Sequence, residues 1–110
     1  MNKRYSIDIL GTKYKVEFRK EIDDKKLIDA DGYAELYSKE LIIEEIVQDE
    51  RTFKDLHKYK NKVIRHEIIH AFFHEAGYAS YCKDEVLIEA LSMLTPKMFK
   101  AFKQMKVEED

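Results

Sequence analysis

The 110-residue chain has no tryptophan, one cysteine, one proline and three glycines. With Cys82 alone, an intramolecular disulfide is impossible, and a reducing, cytoplasmic setting is the simpler expectation. Neither charge sign dominates. Twenty basic and 22 acidic residues leave a formal charge of −2, mixed along the chain, with none of the basic stripes that bind nucleic acid. Apolar runs extend only a few residues, so no membrane span is expected. The basic residues at the start precede no apolar segment, so no signal peptide is expected either. Repeats, low-complexity tracts and linkers are absent from the sequence. What is present is 45% hydrophobic and 38% charged residues, enough apolar material for one core. The length fits one domain, residues 1–110.

Residues 5–18 read as a hairpin. Tyr5, Ile7 and Ile9 alternate with polar residues, as do Tyr14, Val16 and Phe18 after a turn at Gly11-Thr12. Residues 19–32 fit either a charged loop or a short helix. Residues 33–46 suggest a second hairpin, Tyr33–Tyr37 and Glu40–Ile46 about a Ser38-Lys39 turn, with a helix as competitor. Gln48 to Lys62 reads as a polar loop with at most one helical turn. Residues 62–76 form the clearest helix, apolar nearly all round, with Asn61 as N-cap and Gly77 at its C-terminal stop. Asp84 suits the cap of a helix from Glu85 to Leu94. Thr95-Pro96 would open a third helix carrying Met98, Phe99, Phe102 and Met105, and 107–110 would fray. The expected fold class is therefore α+β, a small antiparallel sheet of two N-terminal hairpins packed on a central helix and two C-terminal helices.

The central helix carries His66-Glu67-Ile68-Ile69-His70, an H-E-x-x-H pattern. Residues four apart share a helix face, so both imidazoles can reach one zinc ion. Glu67, rotated by about 100°, lies beside such a metal, where it can take a proton from water and return it to a leaving amine. Given the chain's His and Glu content, a chance match has odds of about 2%, and core or surface histidines are the bland reading. His74 continues the spacing but sits about 12 Å along the axis from His66, too far to share one ion. A third ligand is better sought on the next helix. Glu85 and Glu89 are four apart, so one can bind metal while the other fixes a histidine tautomer, with Glu85 preferred as ligand.

His66-Glu67-x-x-His70 followed by Glu85-x-x-x-Glu89 resembles the gluzincin clan of zinc metallopeptidases, to which thermolysin belongs. That resemblance implies a zincin-like fold, Glu85 as the third zinc ligand, Glu89 as the residue orienting a ligand histidine, and Glu67 as general base. The run Arg65–Phe72, and Pro96 eleven positions after Glu85, look more closely like small ImmA/IrrE-like or phage-encoded minimal metallopeptidases. These imply a cytoplasmic zinc peptidase acting on a peptide or protein substrate. The chain differs in having Glu89 where thermolysin-like enzymes have Asp, and it offers no secure oxyanion donor. Tyr33, His57, Tyr78 and Tyr81 are candidates without a spacing argument. The rival expectation is a metal-binding regulatory module with little turnover. A third has no metal and uses the Met and Phe residues at 98–105 for partner binding.

Overall fold

The structure is a computed structural model that describes residues 4–45 and 56–109. It is a mixed α+β arrangement, a four-stranded sheet with helices on one face. Strands β1 (Arg4–Ile9) and β2 (Thr12–Arg19) form the expected hairpin, in register from Arg4↔Glu17 to Ile9↔Thr12. That register leaves Leu10 and Gly11, both at positive φ, as a two-residue turn whose twist suits a hairpin. Two 3-10 turns, Glu21–Asp23 and Lys25–Leu27, occupy the charged stretch that follows. Strands β3 (Gly32–Glu35) and β4 (Glu40–Glu44) pair antiparallel across the four residues 36–39.

The sheet is not wholly antiparallel, contrary to expectation. Its order is β1-β2-β4-β3, and β2 and β4 run parallel, from Lys15↔Glu40 to Arg19↔Glu44. Burial explains the order. Leu41, Ile42 and Ile43 are all buried, so β4 takes an inner position covered on both faces, while half-buried β3 takes the edge.

Helix α1 (Leu56–Glu75) packs on one face of the sheet. The core there joins Ile9, Tyr14, Val16, Leu41 and Ile43 to Val63 and Ala71. The opposite face carries Glu17, Ile42 and Tyr33, aligned by register, and is crossed by the 3-10 turns. Arg19 there binds Glu17 and Asp24, each at 2.9 Å, and the Tyr33 hydroxyl donates to Asp24. The far end of α1 is tied to the sheet through Glu75. Its carboxylate accepts from Thr12 Oγ1 at 2.9 Å, Tyr14 Oη at 2.6 Å and Lys39 Nζ at 2.8 Å.

Two helix boundaries differ from the sequence reading. Residues 56–62 are helical rather than loop, so Asn61 lies inside α1 and does not cap it; the rest of the expected loop, 48–55, lies outside the described residues. The stop at Gly77 is as expected. Its φ is 83°, Tyr78 N donates to Phe73 O and Gly77 N to His74 O, the paired bonds of a Schellman stop. A short helix α2 (Ala79–Cys82) leads to α3 (Glu85–Met105), capped by Asp84, which accepts from Leu87 N at 3.0 Å.

The second difference is that α3 runs unbroken through Pro96, where a new helix was expected. Proline cannot donate to the carbonyl four residues back, which is Ser92 O. Arg65 Nε of α1 donates to that oxygen at 2.7 Å instead. The orphaned acceptor is thus satisfied from the neighbouring helix, and the two expected helices become one. Among the described residues no helix is long and apolar enough to cross a membrane.

Candidate metal centre

Helix spacing sets the cluster. His66 and His70 stand one turn apart on the face of α1 turned toward the start of α3, with ring centroids 5.0 Å apart. Glu85, in the first turn of α3, reaches both. Its Oε2 lies 3.0 Å from His66 Nε2 and its Oε1 3.0 Å from His70 Nε2. Ligand-type atoms of His66, His70 and Glu85 all lie within 4.8 Å of one another, so the group could hold a metal ion.

The other nitrogen of each ring is held by an acceptor. His66 Nδ1 lies 3.2 Å from Glu89 Oε1, and His70 Nδ1 lies 2.7 Å from the carbonyl of Cys82. A carbonyl can only accept, so His70 carries its proton on Nδ1, and the Glu89 carboxylate favours the same tautomer in His66. The Nε2 lone pairs of neutral rings then face each other and the Glu85 carboxylate. Lone pairs and an anion 3 Å apart repel, so the arrangement calls for a shared cation or for protons on the rings.

Four further groups take part without having stood out in the sequence. Lys62 Nζ donates to Glu89 Oε2 at 3.0 Å and Ser92 Oγ to Glu89 Oε1 at 3.0 Å. These donors, Lys62 first, hold the Glu89 carboxyl below the usual range. Lys62 stands one turn before His66, at the first residue of the expected helix, where its spacing alone does not mark Glu89 as its partner. Cys82 acts through its carbonyl, and its buried thiol donates to His70 O at 3.3 Å, which locks α2 against α1. Nothing in a sequence marks a carbonyl contact of this kind.

The fourth group is Gly32. A Cβ there would meet Ile42 O at 2.9 Å, Val63 Cγ1 at 3.3 Å and Glu67 Cγ at 3.4 Å. The prohibitive contact is with the backbone of β4, so glycine is what lets β3 lie this close to β4, while toward α1 a Cβ would be tight against Val63 and in ordinary contact with Glu67.

Glu67 is 6% exposed, facing the sheet side of the cleft. Burial pushes its carboxyl up to about 7; His66 acts against this and the Glu85 charge adds to it. The cleft holds about 610 Å³ and is lined by His66, Glu67, His70 and Glu85, with Gly32 to Ala34 of β3 as one wall. His74 lies outside the cluster, edge-on to Tyr37. Of the four oxyanion candidates only Tyr33 lines this cleft, and its hydroxyl is committed to Asp24, with burial first and then that bond pushing it up to about 12. Tyr78 and Tyr81 are exposed and lie against each other, and exposed His57 contacts Asn61.

Fold and cluster together define an α+β chain with two histidines and a glutamate at the mouth of a cleft. No family model matches this chain, and no curated protein or solved structure matches it either.

Proposed function

We propose that the chain is a zinc-dependent metallopeptidase of the zincin type, with His66, His70 and Glu85 as ligands, Glu89 orienting His66 and Glu67 as general base. The observation that carries this reading is the convergence of two tautomer-fixed imidazoles and one carboxylate within 4.8 Å. Two nitrogens and one carboxylate oxygen are the donor set of catalytic zinc in many peptidases, with a coordination position left open. Zinc held there would supply a Lewis acid for the scissile carbonyl and make water a stronger acid.

The chain's own residues do the rest. Glu67, with its carboxyl near 7, takes the proton from the attacking water and passes it to the departing amine nitrogen as the C–N bond breaks. Among the described residues β3 is an edge strand paired on one side alone, and an extended substrate can align along its other side by strand addition. Gly32 keeps that edge close to Glu67.

One observation favours the second reading, a metal-binding regulatory module with low turnover. Tyr33, the single oxyanion candidate on the cleft wall, has its hydroxyl turned to Asp24.

Glu67→Gln separates the two readings. The substitution keeps shape and removes the base. The wild type is expected to cleave a broad peptide library in a reaction that a chelator stops. The variant should retain metal and lose at least about a hundredfold in rate. Equal cleavage by both proteins would remove Glu67 from the mechanism. Metal bound without cleavage in either would leave the regulatory module.

A further inference from the structure

Helix α3 continues well past the cluster, and its second half exposes a row of large apolar side chains. Leu94 is 49% exposed, Met98 41%, Phe99 56%, Phe102 37% and Met105 75%. At 3.6 residues per turn these side chains and Ala101 fall within one arc of roughly 160°. Lys97 borders the arc on one side and Lys103 on the other. From Ala90 to Val107 the chain has four lysines and no acidic residue, against a net charge of −2 overall.

The face is also concave. Phe99 and Thr95 of α3 and Arg65, Ile68, Ile69 and Phe72 of α1 enclose a slot of about 290 Å³. None of these six residues lines the cleft of the metal centre. On α1 they lie on the side turned away from His66 and His70.

We propose that this α1/α3 slot is a docking groove for an acidic amphipathic helix of another protein. An apolar stripe bordered by lysines matches a helix with apolar anchors at i, i+4 and i+7 and with Asp or Glu on its flanks. The slot between α1 and α3 receives an anchor side chain. A second copy is disfavoured, because pairing α3 with itself sets Lys97 and Lys103 against lysines at the flanking positions. An anionic bilayer is disfavoured as well. A plane offers no anchor for the slot, and it would also approach the acidic remainder of the chain, which a helix confined to the groove avoids. The proposal extends beyond the metallopeptidase reading and does not depend on it.

The test uses the full chain and two fluorescent helix-forming peptides with the same leucine anchors, one with glutamate flanks and one with lysine flanks. Anisotropy should show the glutamate peptide binding at least about tenfold more tightly, with the gap shrinking at high salt. Lys97→Glu/Lys103→Glu should reverse that preference. Both positions are exposed, so the variant is expected to fold, and its circular dichroism checks this. Phe99→Glu should weaken both peptides. Equal affinity for the two peptides, or binding of neither, would overturn the proposal. So would pelleting with phosphatidylserine vesicles without any peptide preference, or dimerisation in sedimentation that Phe99→Glu abolishes.

Discussion

Arg65 and Pro96 illustrate how single residues decide the shape of this chain. Pro96 removes the donor to Ser92 O, and Arg65 Nε replaces it at 2.7 Å. Leaving a buried carbonyl unsatisfied costs about 1–3 kcal/mol. Arg65→Met, which keeps apolar length in the slot, should therefore destabilise the fold by about that amount in urea unfolding. Adding Pro96→Ala restores an amide N–H within α3 and should recover most of the loss. Strictly additive effects of the two substitutions would contradict this account. Glu75 works on the same scale. Lys39 first, then the Tyr14 and Thr12 hydroxyls, hold its carboxyl down at about 2, against an ordinary 4.5. A depressed carboxylate contributes stability above 4.5 that is lost as pH falls toward 2. The stability gap between wild type and Glu75→Gln should accordingly narrow over that window. A gap independent of pH would rule out this role for Glu75.

At the scale of elements, β3 sits between β4 and α1 at a residue with no side chain. A Cβ at position 32 would lie 2.9 Å from the Ile42 carbonyl oxygen, so β3 or β4 must shift. Gly32→Ala should cost about 1–3 kcal/mol in urea unfolding, as overpacking does. Under the metallopeptidase reading it should also slow cleavage, because the edge moves away from Glu67. An alanine variant as stable as wild type would show that the close approach is not needed.

Much of this level was legible in the sequence. Alternation marked the first hairpin, Gly77 marked the end of α1, and Asp84 marked the start of α3. The failures have physical causes. Residues 56–62 carry mostly Lys, His and Asn, which mask the sparse i, i+3, i+7 series Leu56, Tyr59 and Val63 by which they extend the helix. Pro96 reads as a break because its remedy, Arg65, lies 31 positions away in the chain. The parallel pairing of β2 with β4 is a choice of neighbour, which alternation within a strand does not encode. Of the candidate site, the His66–His70 spacing and the Glu85–Glu89 pair were readable. Lys62, the Cys82 carbonyl and Gly32 act through tertiary contacts that leave no periodic signal.

On the scale of the whole molecule, α1 is a shared beam. One side seals the core against the sheet, a second presents His66 and His70 to α3, and a third closes the apolar slot. Under the metallopeptidase reading, zinc is held on the second of these sides. Elemental analysis of freshly purified protein tests it most directly, with wild type compared against His70→Ala. About one zinc per wild-type chain, as a site with three protein ligands requires, and almost none in the variant is the predicted result. Wild-type protein without stoichiometric zinc, or a variant that keeps its full complement, would contradict the account.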